Sequence, residues 1–131
     1  MNMTLEADYA VRIVYLLAKE NRRLEAKYIA ENSGVTLRFS LKILRKLVGA
    51  NIINSFKGTS GGYELSKSPE EISLYDIIVT IDGPYHFSKC GDEDFVCTRV
   101  ADKNCNIRKV FCEISSIVIK KLKATKIKDL L

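Results

Sequence analysis

Residues 24–65, LEAKYIAENSGVTLRFSLKILRKLVGANIINSFKGTSGGYEL, decide how this chain folds. The segment opens with a short helical pattern over 24–32, with Tyr28 and Ile29 facing inward, and stops at Ser33-Gly34. Thr36 is placed to N-cap a second helix that buries Leu37, Phe39, Ile43, Leu44 and Leu47 and ends near Ala50. A short helix, a glycine turn and a second helix form a helix-turn-helix signature. Ile52, Ile53, Ser55 and Phe56 then read as a strand, and residues 63–65 read as its partner. Between them Lys57-Gly58-Thr59-Ser60-Gly61-Gly62 is too rich in glycine for helix and suits a hairpin tip. Helix-turn-helix followed at once by a hairpin is a winged helix. A phosphate-cradling nucleotide loop is excluded, because GxxxxGK[ST] is absent and no helix follows the glycines.

Upstream, residues 4–19 form a helical pattern with Leu5, Tyr9, Ile13, Leu16 and Leu17 on one side. Downstream, Ser68-Pro69-Glu70-Glu71 resembles a helix start. Ser73 with Asp76 repeats that signal and opens a helix through Leu74, Ile77, Ile78 and Ile81, which Gly83-Pro84 ends. Residues 85–104 read as a polar loop. From Asn106 the pattern turns helical again through Ile107, Val110, Phe111, Ile114, Ile117, Val118 and Leu122, a stripe wide enough to require a partner. The expected fold is mainly α with a small β-hairpin. It comprises a winged helix-turn-helix head (1–67), a connecting helix (68–84), a cysteine-bearing loop (85–105), and a long C-terminal dimerisation helix with a tail (106–131).

With 131 residues, 47% hydrophobic and 28% charged, the chain has the balance of one globular domain. The longest apolar run, residues 13–18, is far short of a membrane span of roughly 20 residues. No secretory pattern opens the sequence, so a cytoplasmic location is expected. Charge and cysteine are segregated. Residues 1–67 hold 11 Lys/Arg against 6 Asp/Glu and residues 68–131 hold 10 against 10, so the net charge of +5 belongs to the first half. A basic half suits a polyanion. All four cysteines fall in the second half.

On the second helix of the pair, Arg38, Lys42 and Arg45 recur at i, i+4 and i+7 and share one face. Such a cationic face suits the major groove of double-stranded DNA, and a wing tip carrying Lys57, Thr59 and Ser60 suits the minor groove. Thr36 and Phe39 border the same face. Arg12, Arg22 and Arg23 are further candidates for phosphate contacts. An enzymatic reading finds little support: the single histidine, His86, has no nucleophile beside it, and the acids Asp92, Glu93 and Asp94 cluster in a loop.

Cys90, Cys97, Cys105 and Cys112 are separated by six, seven and six residues. A reducing compartment argues against disulfides, and structural zinc ordinarily uses at least one tight C-x₂₋₄-C pair. Widely spaced thiolates on a loop fit an iron–sulfur cluster better. Unliganded thiols are the alternative, and Cys112, between Phe111 and Ile114, reads most simply as a small buried hydrophobe.

The segments T-L-E-A-D-Y-A-V-R, I-A-E-N-S-G-V-T-L-R-F-S-L-K-I-L-R-K-L, F-K-G-T-S-G-G-Y-E-L and I-S-L-Y-D-I-I-V-T-I-D-G-P resemble the IscR–NsrR–CymR family of winged-helix transcription regulators over nearly the whole chain. The resemblance implies a homodimer joined by its long C-terminal helices, with two heads reading a palindromic operator. It also implies a cluster on three loop cysteines, here Cys90, Cys97 and Cys105. For the fourth ligand, some members place a histidine three residues after the third cysteine, where this chain has Arg108. Others use an acid of the first helix to reach the partner's cluster, which here matches Asp8; Cys112 is the second candidate. A 2Fe–2S cluster ranks first and a 4Fe–4S cluster second. Zinc binding, or thiol oxidation without a cluster, is the alternative mode of sensing. Leu41-Lys42 stands where cluster-bearing relatives often carry an acid, so operator preference does not carry over.

Overall fold

The computed structural model describes residues 3–99 and 104–131. The order is α1 (Leu5–Glu20), α2 (Ala26–Ser33), α3 (Leu37–Gly49), β1 (Ile53–Phe56), β2 (Gly62–Leu65), α4 (Leu74–Asp82) and α5 (Asn106–Ala124). Two 3₁₀ turns, Lys89–Gly91 and Ile127–Leu130, flank α5 in sequence. The winged helix-turn-helix head and the long C-terminal helix therefore stand as expected. Residues 100–103 of the expected loop lie outside the described residues.

Helix α1 runs through the middle of the head. Ala10, Ile13, Val14 and Leu17 bury one face of it against Ile29, Ile43, Leu44, Leu47, Ile53 and Ile77, and Ala7 is buried one turn earlier. The small residues Ala7 and Ala10 let neighbours approach closely, and Leu5, expected inside, is instead 61% exposed in the first turn. Thr4 caps α1 by accepting from the Ala7 amide at 3.1 Å, while its own amide donates to Asp82 at 3.2 Å. The start of α1 is thus tied to the end of α4.

The wing is an antiparallel pair with Ile53 opposite Leu65 and Phe56 opposite Gly62. Leu24, expected within α2, instead extends this sheet. It exchanges backbone hydrogen bonds with Tyr63 at 2.9 and 2.8 Å. That pairing explains the second glycine of the pair at the base of the tip. Gly62 has φ +141°, and a Cβ there would lie 2.5 Å from the Leu24 carbonyl oxygen.

The Ser68-Pro69-Glu70-Glu71 signal closes only a turn, with the Glu71 amide donating to the Ser68 carbonyl at 2.9 Å. Two helix-start signals five residues apart compete, and the second has the reciprocal pair. Ser73 accepts from the Asp76 amide at 3.1 Å and donates its own amide to Asp76 Oδ2 at 2.9 Å, so α4 begins there.

The residues after α5 return to the head. The Ile127 amide donates to the Ile72 carbonyl at 2.9 Å and the Leu74 amide to the Thr125 carbonyl at 3.0 Å. Ile127 is completely buried in the main core. Removing such a side chain leaves a cavity, so Ile127→Ala should cost about 2–5 kcal/mol, read as a lower denaturant midpoint. Leu131→Ala, at a 56% exposed position, should leave the midpoint within roughly 0.5 kcal/mol.

Candidate nucleic-acid interface and cysteine site

Thr36 starts α3 by accepting from the Phe39 amide at 3.2 Å. From that start Arg38, Lys42 and Arg45 project to solvent, and with Thr36, Leu37, Phe39 and Leu41 they line one open concave face. Leu37, expected inside, is 46% exposed on this face, and Ser40 takes the buried place. Phe39 is half-buried because its ring meets Tyr9 edge-on at 5.6 Å. That contact joins α3 to α1.

Lys57, Thr59 and Ser60 are exposed at the wing tip. Of the three extra arginines, Arg23 is committed within the protein. Its guanidinium lies 3.4 Å from the centroid of Phe56, donates to the Ser60 carbonyl at 3.1 Å and stands 3.6 Å from Glu64. It braces the wing. Arg12 pairs with Asp8 at 2.9 Å, and Arg22 pairs with Glu20 at 2.8 Å while lying 5.2 Å from the Tyr28 ring. The wing brace escaped sequence reasoning because Arg23 and Ser60 are 37 positions apart.

The cysteine loop is seated on α5 at its entry. The Phe87 amide donates to Ser115 Oγ at 2.8 Å, and the Phe87 ring meets Phe111 at 5.4 Å. Gly91 follows Cys90 close beside His86, where a Cβ would lie 3.0 Å from Nδ1 of that ring and push it aside by a few tenths of an ångström. Cys90, Cys97 and Cys105 then converge on one cavity of about 190 Å³, shared with Phe95, Arg99, Ile107 and Arg108. The Cys90 thiol donates to Ser88 Oγ at 3.3 Å, and Cys105 accepts from Arg99 at 3.3 Å.

Neither candidate for a fourth ligand lines this cavity. Asp8 lies on the outer side of α1 beside Arg12. Cys112, expected to be buried, is exposed on α5. Its neighbours on the helix are exposed too: Ile107 and Val110 at 51% and Ile117 at 69% leave an apolar stripe bare in the single chain. No three His, Cys, Asp or Glu side chains among the described residues are grouped closely enough to hold a single metal ion. Three thiols around a shared cavity suit a larger group.

Cys105 sits at the N-cap of α5 without forming a side-chain cap hydrogen bond. The Arg108 amide nevertheless favours its thiolate most, opposed by desolvation and aided by the Ile107 amide and the Arg99 charge, so its pKa is lowered. In metal-free, reduced protein, the rate–pH profile of Cys105 alkylation should have its midpoint below that of an unperturbed cysteine thiol. Arg99→Ala should move that midpoint upward. A profile centred at or above the ordinary value would remove the electrostatic argument.

Comparison with known proteins bears on the fold and the family. Residues 3–131 match the family model described as Rrf2, iron-dependent transcriptional regulator. An rrf2-like HTH-type transcriptional regulator of Rhodobacter capsulatus is 36% identical over 86% of this chain and 80% of its own length. The NsrR transcriptional regulator of Shouchella clausii is 24% identical over 99% of this chain and 88% of its own. Among solved structures, CymR, the global cysteine regulator of B. subtilis, superposes with a TM-score of 0.83 at 24% identity, covering 99% of this chain and 95% of that one. T. potens IscR does so with a TM-score of 0.75 at 23% identity, covering 99% and 85%.

Proposed function

The chain belongs to the Rrf2 family of transcriptional regulators, and from that premise we propose a homodimer whose operator binding is gated by an iron–sulfur cluster on Cys90, Cys97 and Cys105. The convergence of those three thiols on one cavity carries the reading. The donor set fits the group. Thiolate is favoured at Cys105, and Arg99 and Arg108 bring positive charge beside the negative charge that ligating thiolates accumulate. When bound, the cluster supplies a tie between loop and helix that iron loss, oxidation or nitric oxide removes. A 2Fe–2S cluster is preferred over 4Fe–4S. Asp8, reaching over from a partner subunit, ranks ahead of Cys112 as the fourth ligand.

The chain's own residues do the rest. Arg38, Lys42 and Arg45 enter the major groove, with Lys57, Thr59 and Ser60 at the minor groove and Thr36 at the backbone. The bare stripe of Ile107, Val110 and Ile117 packs against its copy and fixes the separation of the two heads. Two half-sites are engaged together only at one separation, so a small shift of the loop against α5 changes affinity appreciably. The lowered Cys105 pKa favours a second reading, thiol oxidation without a cluster.

Protein purified without oxygen should show visible charge-transfer bands with matching iron and sulfide, and Cys105→Ala should abolish them. Asp8→Ala and Cys112→Ala then assign the fourth ligand. Operator affinity should differ between loaded and cluster-free protein; equal affinities would sink the gating. A colourless protein, metal-free after reconstitution, would leave the thiol reading.

A further inference from the structure

Four cations lie on α3, yet two of them face a carboxylate of the same chain. Glu6, in the first turn of α1, accepts a hydrogen bond from Lys46 at 2.7 Å, and its other oxygen stands 3.6 Å from Lys42. The Glu6 side chain is only 18% exposed, against 38% for Lys46 and 56% for Lys42. The two pairs are therefore unequal. Lys46 is bonded and half-covered. Lys42 is beyond hydrogen-bond length, reaches solvent and borders the concave face with Arg38 and Arg45.

The carboxylate is held in place by its backbone. Thr4 caps this turn and ties it to Asp82, and Ala7 is fully buried in the residue after Glu6. The Glu6 carboxyl has Lys46 hydrogen-bonded to one oxygen and the Lys42 ammonium beside the other, so both of its oxygens are turned toward cations of α3. An ionised carboxylate fixed between two ammonium groups offers them what a DNA phosphate oxygen would.

We infer that Glu6 is an intramolecular stand-in for a DNA phosphate, which retains Lys46 as a structural cation and holds Lys42 until duplex displaces it. The inference rests on the DNA-binding reading of α3 given above. Its consequence concerns selectivity. Phosphate pairing is independent of sequence, and each cation that joins it releases counterion and strengthens binding to every duplex. With Glu6 present, α3 offers Arg38 and Arg45 freely, while Lys42 must first leave its partner. Indiscriminate binding is held down. A helix seated well enough to place Lys42 against phosphate recovers the lost attraction.

The test is a salt titration of full-length protein on a mixed-sequence duplex, followed by fluorescence anisotropy. Glu6→Gln should bind more tightly at low salt and show a log–log salt slope steeper by ~0.9, the value of one added phosphate contact. Between 50 and 200 mM salt this is about a threefold greater loss of affinity. Adding Lys42→Ala to Glu6→Gln should return the slope to the wild-type value. An unchanged slope in a folded Glu6→Gln variant overturns the inference, as does weaker binding without a change in slope, which a purely structural Glu6 would give. Should Glu6→Gln fail to fold, Glu6→Asp keeps the charge but withdraws it, and must steepen the slope in the same direction. Wild-type protein that binds no duplex would instead overturn the DNA-binding reading itself.

Discussion

Burial of one face of α1 is the constraint on which the other elements depend. Ile13, Val14 and Leu17 contribute to a core shared by α2, α3, β1, α4 and the C-terminal turn, so each of those elements is positioned by reference to the same helix. Close packing leaves little freedom to rotate α1 without moving its neighbours. The exposed side of its first two turns is consequently fixed in space. That side carries Thr4 against Asp82, Glu6 against Lys42 and Lys46, and Asp8 against Arg12. A helix that looks like a scaffold thus presents three polar residues with partners within five positions, one of them facing the helix proposed to read DNA.

The charge of the head is internally managed to a degree that its net value conceals. Arg12, Arg22, Arg23 and Lys46 all have acidic partners within the head, whereas Arg38 and Arg45 line the concave face of α3. Isolated exposed pairs contribute little to stability, roughly 0–1 kcal/mol. Their larger effect is on where positive potential remains. Pairing lowers it around Arg12, Arg22, Arg23 and Lys46 and leaves it at Arg38 and Arg45 of α3 and at the wing tip, the two places a winged helix presents to a duplex.

Much of this architecture was legible in residues 24–65, because capping residues, glycine placement and helical period all agreed there. The helix-turn-helix, the hairpin and the capping box at Ser73 follow from local chemistry alone. Local chemistry failed where tertiary packing decides. Ser68-Pro69 has the composition of a helix start, but the neighbouring Ser73 box wins. Leu24 has helical neighbours, but its backbone is claimed by Tyr63. Leu5, Leu37 and Cys112 sit at apolar positions of a helical pattern and are nonetheless exposed, since a single chain leaves part of each face uncovered. The convergence of Cys90, Cys97 and Cys105 was readable from their density in one loop. The Arg23 brace and the Glu6 pairs, which join residues 33 to 41 positions apart, had no local signature.

The placement of α5 bears on how a change at the cysteines could be felt in the head. Its N-terminal half holds the loop through Phe111 and Ser115, and the segment after its C-terminus is plugged into the core by Ile127. A helix of 19 residues with no Gly or Pro has no point at which to bend cheaply. Displacement at the cysteine end must therefore slide the whole helix along α4 or disturb the seat of Ile127 beneath α1. Between those ends the side turned away from the head carries Ile107, Val110 and Ile117. If that stripe is covered by a second copy, sliding alters the relation of the two heads; if it is not, the movement ends in the core of one. Covered by a second copy, as proposed, the stripe would convert a local shift at the thiols into a change of separation between two binding surfaces.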